Sequence, residues 1–211
     1  MQIFEKMSYC DIIKYKGKDM QQLLTVKENE KYLRQISKNV DFSDNTYKED
    51  IKNLKDFFKN NKVGYALASI QLAIPKRIIY INSTSEDCKA NQVGTVLINP
   101  VITKSQGKTE FWEACFSCGL GELGLVERPY KIEVEYIDEN GKKNSTSFEG
   151  FSATVISHEI DHLDGIFHLD RAKQRVSIDG EKRFEFRNEH PYKIISKTCE
   201  FEYVSVKVKE N

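Results

Sequence analysis

The sequence predicts an α+β fold in a single domain, with small antiparallel or mixed sheets packed around a central metal-binding helix. Three observations carry this expectation. A chain of 211 residues is long enough for one ordinary hydrophobic core and short for two. The apolar residues of its middle third fall in short β-type runs that end in a hairpin signal. A helical run containing His-Glu-x-x-His then arrives late, at residues 158–162.

The elements follow in order. Residues 1–22 mix Glu5, Asp11 and Asp19 with lysines and hold no continuous apolar segment, unlike a secretory signal or an acid-poor transit peptide, so they are expected to form an extension. From Asp44 to Asn61, Ile51, Leu54 and Phe58 recur at helical spacing, which predicts a helix capped by Ser43 or Asp44. Apolar β-formers follow at Arg77–Ile81, Thr95–Ile102 and Lys131–Ile137. Glu139-Asn140-Gly141 marks a hairpin turn into a polar return strand. The pattern becomes helical from about Ser152 to Asp164, with Gly165 as its stop. After Arg171 a charged stretch leads to a short helix near Glu181–Glu189, and Pro191 breaks it. Val204, Val206 and Val208 then alternate with polar residues, which predicts a last strand across Cys199–Lys209.

Composition excludes several classes of function. Lys and Arg number 32, as do Asp and Glu, so no basic excess points to nucleic acid or to an anionic membrane. No apolar stretch approaches the ~18 residues needed to span a bilayer. The five cysteines, Cys10, Cys88, Cys115, Cys118 and Cys199, are an odd number in a chain of ordinary size. They argue against a disulfide framework and for a reducing, cytoplasmic setting.

His158 and His162 are four apart, so on a helix their imidazoles project from one face and share a metal. Glu159 stands beside the first of them, placed to reach a water in the metal's open position without itself being a ligand. Phe151 and Val155 occupy the same helical stripe and form an apolar wall leading towards the metal. The third ligand decides the enzyme class. His168 completes the pattern HExxHxxGxxH of a metzincin-like zinc endopeptidase, although every methionine lies far upstream, where no methionine turn can form. Cys115, on a loop after a strand, would instead give a Cys-His-His site with one open position, the catalytic form. Cys115 together with Cys118 would give a closed, non-catalytic Cys₂His₂ zinc module that leaves Glu159 without a task.

Three segments in one order resemble the peptide deformylase family. Gly64-Tyr65-Ala66-Leu67-Ala68-Ser69-Ile70-Gln71 is similar to its motif GxGLAAxQ, Glu113-Ala114-Cys115-Phe116-Ser117 to EGCLS, and His158-Glu159-Ile160-Asp161-His162 matches HExDH throughout. The resemblance runs from about Leu23 to Arg171, leaving residues 1–22 and the tail from 191 unmatched. Ala66, Ser69, Ala114 and Phe116 depart from the motifs. Alanine replaces glycine without strain only where φ is negative and no neighbour needs the space of Cβ. Ala66 falls where the family's backbone runs alongside bound substrate.

The resemblance implies a hydrolase that removes the N-formyl group from the initiator methionine of new polypeptides and releases formate. Cys115, His158 and His162 would hold the metal, which the resemblance implies is ferrous iron in cells, with zinc, nickel or cobalt able to replace it. Glu159 would move the proton, and Gln71 with the backbone N–H of Phe116 would stabilise charge on the formyl oxygen. Phe151 and Val155, with Tyr65 and Phe111, would enclose the methionine side chain, and Ala66 would lie beside the bound peptide. The partners implied are N-formyl-methionyl nascent chains near the ribosome, with neither membrane nor nucleic acid.

Overall fold

The computed structural model describes residues 23–61, 64–82 and 93–204. The proposed extension 1–22, Cys10, Cys88, Val206 and Val208 lie outside them. Helix α1 (Val26–Leu33), absent from the sequence expectation, leaves helical conformation at Asn29 and buries Leu33. Helix α2 (Thr46–Asn61) buries Tyr47, Ile51, Leu54 and Phe58 on one stripe. Of the two candidate caps Asp44 serves, accepting from the Thr46 backbone N–H at 2.9 Å and its hydroxyl at 2.7 Å.

Strand β1 (Ala66–Ala68) runs into a 3₁₀ turn, Ser69–Leu72, and strand β2 (Ile78–Ile81) pairs back on it antiparallel. Strand β3 (Val96–Cys115) is 20 residues long and outruns any single partner. Its first part pairs with β2 and with β5 (Lys131–Ile137), and its second part with β4 (Gly119–Arg128). β5 and β6 (Lys143–Glu149) form the expected hairpin. Helix α3 (Phe151–Leu163) follows, then one turn of helix, α4 (His168–Arg171), and β7 (Gln174–Ser177), which pairs with β4. Helix α5 (Arg183–Glu189) and β8 (Lys193–Glu200), paired to β3, complete the described chain.

Two expectations change. The separate small sheets are parts of one eight-stranded sheet in which every strand pair is antiparallel. They merge because β3 continues beyond Ile102, where the apolar run ends, through polar residues. Lys104–Gln106 pair with β5 on one edge, and Gln106 and Lys108 with β8 on the other. Among the described residues the last strand is Lys193–Glu200, which overlaps the predicted run Cys199–Lys209 only at its start, and residues 205–209 of that run lie outside the described residues. After Glu200 the chain leaves the sheet, and the Tyr203 side chain crosses to α3.

The apolar runs of β2 and β3 are continuous because both faces are covered. Ile79, Ile81 and Leu97 face a core with Ala153, Ile156, Ile160 and Leu163 of α3. Their neighbours Ile78, Val96 and Ile98 face a second core with Ile51, Leu54 and Phe58 of α2. Strand period 2 thus divides one run between two helices. Gly165, with φ of 71°, ends α3, and any Cβ there would strike the Arg34 carbonyl.

Candidate active site and metal centre

β3 ends at Cys115, and its sulfur meets the His-bearing face of α3. Cys115 Sγ lies 3.1 Å from His162 Nε2, which lies 3.2 Å from His158 Nε2. One ligand atom from each of the three residues falls within 4.8 Å of the others. Two imidazole nitrogens and a sulfur aimed at one point are mutually repulsive as lone-pair donors, and a cation reconciles them. Bonds of ~2.0 Å to a tetrahedral ion would set the nitrogens roughly 3.3 Å apart, close to the spacing present. The donor set therefore fits a divalent metal. Cys115 is the last residue of the strand rather than part of a loop after it, which gives the thiol a rigid support.

The histidines are held from behind. His158 Nδ1 donates to Glu113 Oε2 at 2.8 Å, which leaves Nε2 for a metal. Glu113 also accepts from Arg128 Nε at 2.8 Å and Nη2 at 3.0 Å, and Arg128 Nη1 reaches Asp161. Asp161 accepts from Arg171 through two bonds of 2.6 Å and from the Tyr203 hydroxyl at 2.5 Å. Burial alone would raise the Glu113 carboxyl, but Arg128 and His158 reverse this and hold it well below the usual carboxylate range. Asp161 follows the same pattern, with burial opposed by Arg128 and Arg171, and is also lowered.

Glu159 is buried, and its Oε2 accepts from the Ala68 N–H at 2.9 Å. Burial pushes its carboxyl up to about 7, against the pull of His158. Gln71 Oε1 accepts from the same N–H at 3.1 Å, while its Nε2 donates to Ser117 Oγ at 3.1 Å and lies 3.7 Å from Cys115 Sγ. The segment that carries them is strand and 3₁₀ turn, so the backbone that presents Gln71 is regular. Ala66 and Ala114 fall on ordinary backbone, because Ala73 and Asn99 are the described non-glycine residues with positive φ. Phe116 sits in the tight turn between β3 and β4, its carbonyl accepting from Gly119 N–H at 3.3 Å.

Of the expected side-chain pocket, Tyr65, Phe111 and Phe151 come together, each of the first two meeting Phe151 edge-on at 5.3 Å between centroids. Val155 is partly buried against the α3 core, and Ala66 is buried in β1. His168 stands apart from the ligand group: its Nε2 lies 3.0 Å from the Glu122 carbonyl, and its ring stacks on His158 at 5.7 Å. Cys118 is likewise outside the group among the described residues. The protease alternative loses its third ligand here, and the closed-zinc alternative its fourth.

Sequence reasoning missed Arg128, Arg171, Tyr203, Ser117 and the Ala68 amide. It quoted Glu113 without giving it a task. Arg128 belongs to β4, whose glycine-spaced run Gly119-Leu120-Gly121-Glu122-Leu123-Gly124 carries no clear β-pattern, so nothing local announces it.

The chain matches the family model of polypeptide deformylase across residues 20–177. It is 36% identical over 144 residues to peptide deformylase 2 of Clostridium acetobutylicum, covering 68% of this chain and 91% of that protein. It superposes on the Synechococcus elongatus peptide deformylase in complex with actinonin with a TM-score of 0.63 at 30% identity, over 83% of this chain and 88% of that one. The Acinetobacter baumannii peptide deformylase with Met-Ala-Ser bound gives 0.60 at 26% identity, over 71% and 96% respectively.

Proposed function

We infer the reaction from one fixed premise: the chain belongs to the peptide deformylase family. It is a metal-dependent hydrolase that removes the N-formyl group from newly made polypeptides. The roles of its individual residues are our assignment. One observation carries them: Cys115, His158 and His162 converge with Glu159 and Gln71 immediately beside them.

Cys115, His158 and His162 would hold the metal. A divalent ion there would supply Lewis acidity and would make a water acidic enough to yield hydroxide near neutral pH. Glu159 takes the proton of the attacking water and passes it to the departing amine, a general base that becomes a general acid. The Gln71 amide, fixed by Ala68 and Ser117, donates to the formyl oxygen as charge develops on it. The backbone N–H of Phe116 is the second donor. Tyr65, Phe111, Phe151 and Val155 receive the first side chain, and β1 around Ala66 lies alongside the peptide backbone. The products are formate and a free N-terminal amine.

Ferrous iron is our choice for the resident ion, with zinc, nickel or cobalt able to substitute, since one thiolate and two imidazoles suit them all. Among the described residues no helix is long and apolar enough to cross a membrane. We place the enzyme in the cytoplasm, acting on nascent chains near the ribosome. The test is formate release from formyl-Met-Ala-Ser by metal-loaded protein. Glu159→Gln should keep its metal and lose 10²–10⁴-fold in rate. Activity undiminished in that variant would remove Glu159 from the mechanism.

A further inference from the structure

Residues 178–204 lie beyond the stretch that the family model matches, yet part of this segment stands against the aromatic wall. α5 is docked on β3 by Arg187, whose Nε donates to the Trp112 carbonyl at 2.8 Å and whose guanidinium lies 4.7 Å from the centroid of Phe111. Phe186 meets Trp112 edge-on at 5.2 Å. The helix ends at Glu189, Pro191 cannot continue it, and the chain turns. The Tyr192 ring then lands 5.8 Å from Phe111 and 5.7 Å from Phe151.

Phe151 is thus the hub of a cluster in which Tyr65, Phe111 and Tyr192 all meet it. At these separations the edge-on rings touch and form one contiguous aromatic wall against which a ligand packs. That face leads to the metal ligands, because Phe151 and His158 are seven residues apart on one side of α3.

We propose that Tyr192 is a specificity-determining residue. Its ring closes the outer side of the wall against which the first side chain of a formyl peptide packs. The inference rests on the deformylase reading. A slim, unbranched thioether or alkyl chain packs along such a wall, with favourable sulfur–aromatic contact at the ring edges. A bulky ring at the same position must displace Tyr192, which the Arg187 anchor resists.

The experiment compares kcat/KM for formate release from formyl-Met-Ala-Ser, formyl-norleucyl-Ala-Ser and formyl-Phe-Ala-Ser. It uses metal-loaded wild type, Tyr192→Ala and Tyr192→Phe, with thermal melting and metal content measured alongside. Tyr192→Ala is expected to move the Met-to-Phe preference about tenfold or more towards Phe, chiefly through KM, within the 10–200-fold that shape changes in an apolar pocket produce. Tyr192→Phe keeps the wild-type preference, because the ring and not the hydroxyl forms the wall. A preference unchanged in folded, metal-loaded Tyr192→Ala overturns the proposal. So does a wild type that takes formyl-Phe as readily as formyl-Met. If Tyr192→Ala does not fold, Tyr192→Leu makes the same comparison. A wild type that releases formate from none of the peptides overturns the deformylase reading and this inference with it. Activity with an unchanged preference strikes Tyr192 alone.

Discussion

The single backbone N–H of Ala68 lies between the Glu159 carboxylate, at 2.9 Å, and the Gln71 side-chain oxygen, at 3.1 Å. One donor thereby sets both side chains to which we assign the chemistry. It also ties the edge strand β1 to the metal helix, since Glu159 belongs to α3 and Ala68 closes β1. The orientation of the Gln71 amide follows: with its oxygen turned to Ala68, its nitrogen faces Ser117 and Cys115.

The buried position of Glu159 has a consequence for stability in the metal-free protein. Its carboxyl, raised by burial to about 7 from an ordinary 4.5, binds a proton more tightly folded than unfolded. The unfolded state therefore holds fewer protons than the folded state between those values, and stability contributed by this group declines as pH rises from about 4.5 through about 7. Urea unfolding of the metal-free protein across pH 5 to 8 should show wild type losing more stability than Glu159→Gln. Equal slopes for the two proteins would contradict it.

Gln71 is expected to act on the transition state rather than on binding. Gln71→Ala should lower kcat by about 10²–10³-fold, as removal of one oxyanion donor does, with KM little changed. Steady-state formate release measures both constants. A rise in KM at constant kcat would instead make Gln71 a residue that binds substrate and transition state alike.

Much of this site was legible because its chemistry is local in sequence. His158, Glu159 and His162 sit within a little over one helical turn, and Cys115 and Gln71 each stand in a short motif of fixed spacing. Their support was not legible. Arg128 joins Glu113 to Asp161 only because β3 and β4 pair Glu110 with Glu127 and Phe111 with Val126, a register that no residue near Arg128 encodes. The long strand was similarly hidden. Lys104 and Gln106 are polar because they are exposed to water, and what makes Lys104–Lys108 strand is pairing with β5 and β8. The alternation around Tyr203 predicts a strand, whereas its hydrogen bond to the buried Asp161 carboxylate takes it out of the sheet.

Removing Arg128 should disturb both the fold and the metal. Arg128→Met keeps the apolar stem but leaves Glu113 and Asp161, both buried, without their shared partner. Breaking a buried ion pair in this way typically costs about 3–5 kcal/mol. The carboxylate that orients His158 also loses its anchor, so metal affinity should fall about 10–100-fold. Chelator competition reads the second effect separately from denaturant unfolding. Unchanged metal affinity in a destabilised variant would make Arg128 a structural residue alone.

Tyr203 carries the same logic to the end of the described chain. Its hydroxyl donates to Asp161 at 2.5 Å and lies 3.0 Å from the carbonyl of Ser157, the residues that precede His162 and His158. The ring also packs beneath the Arg171 guanidinium, 5.0 Å from its centroid. Tyr203→Phe keeps the ring and removes the hydroxyl, so it isolates the hydrogen bond. Bonds to a charged partner are worth about 1.5–3 kcal/mol, and a loss of that size is expected in denaturant unfolding. Burial and the neighbouring Asp161 carboxylate hold the phenol well above its usual pKa, so it stays protonated in alkaline solution. The deficit of Tyr203→Phe should therefore persist unchanged from pH 7 to 9. A deficit that vanished by pH 9 would mean that the phenol ionises there and that Asp161 does not hold its proton.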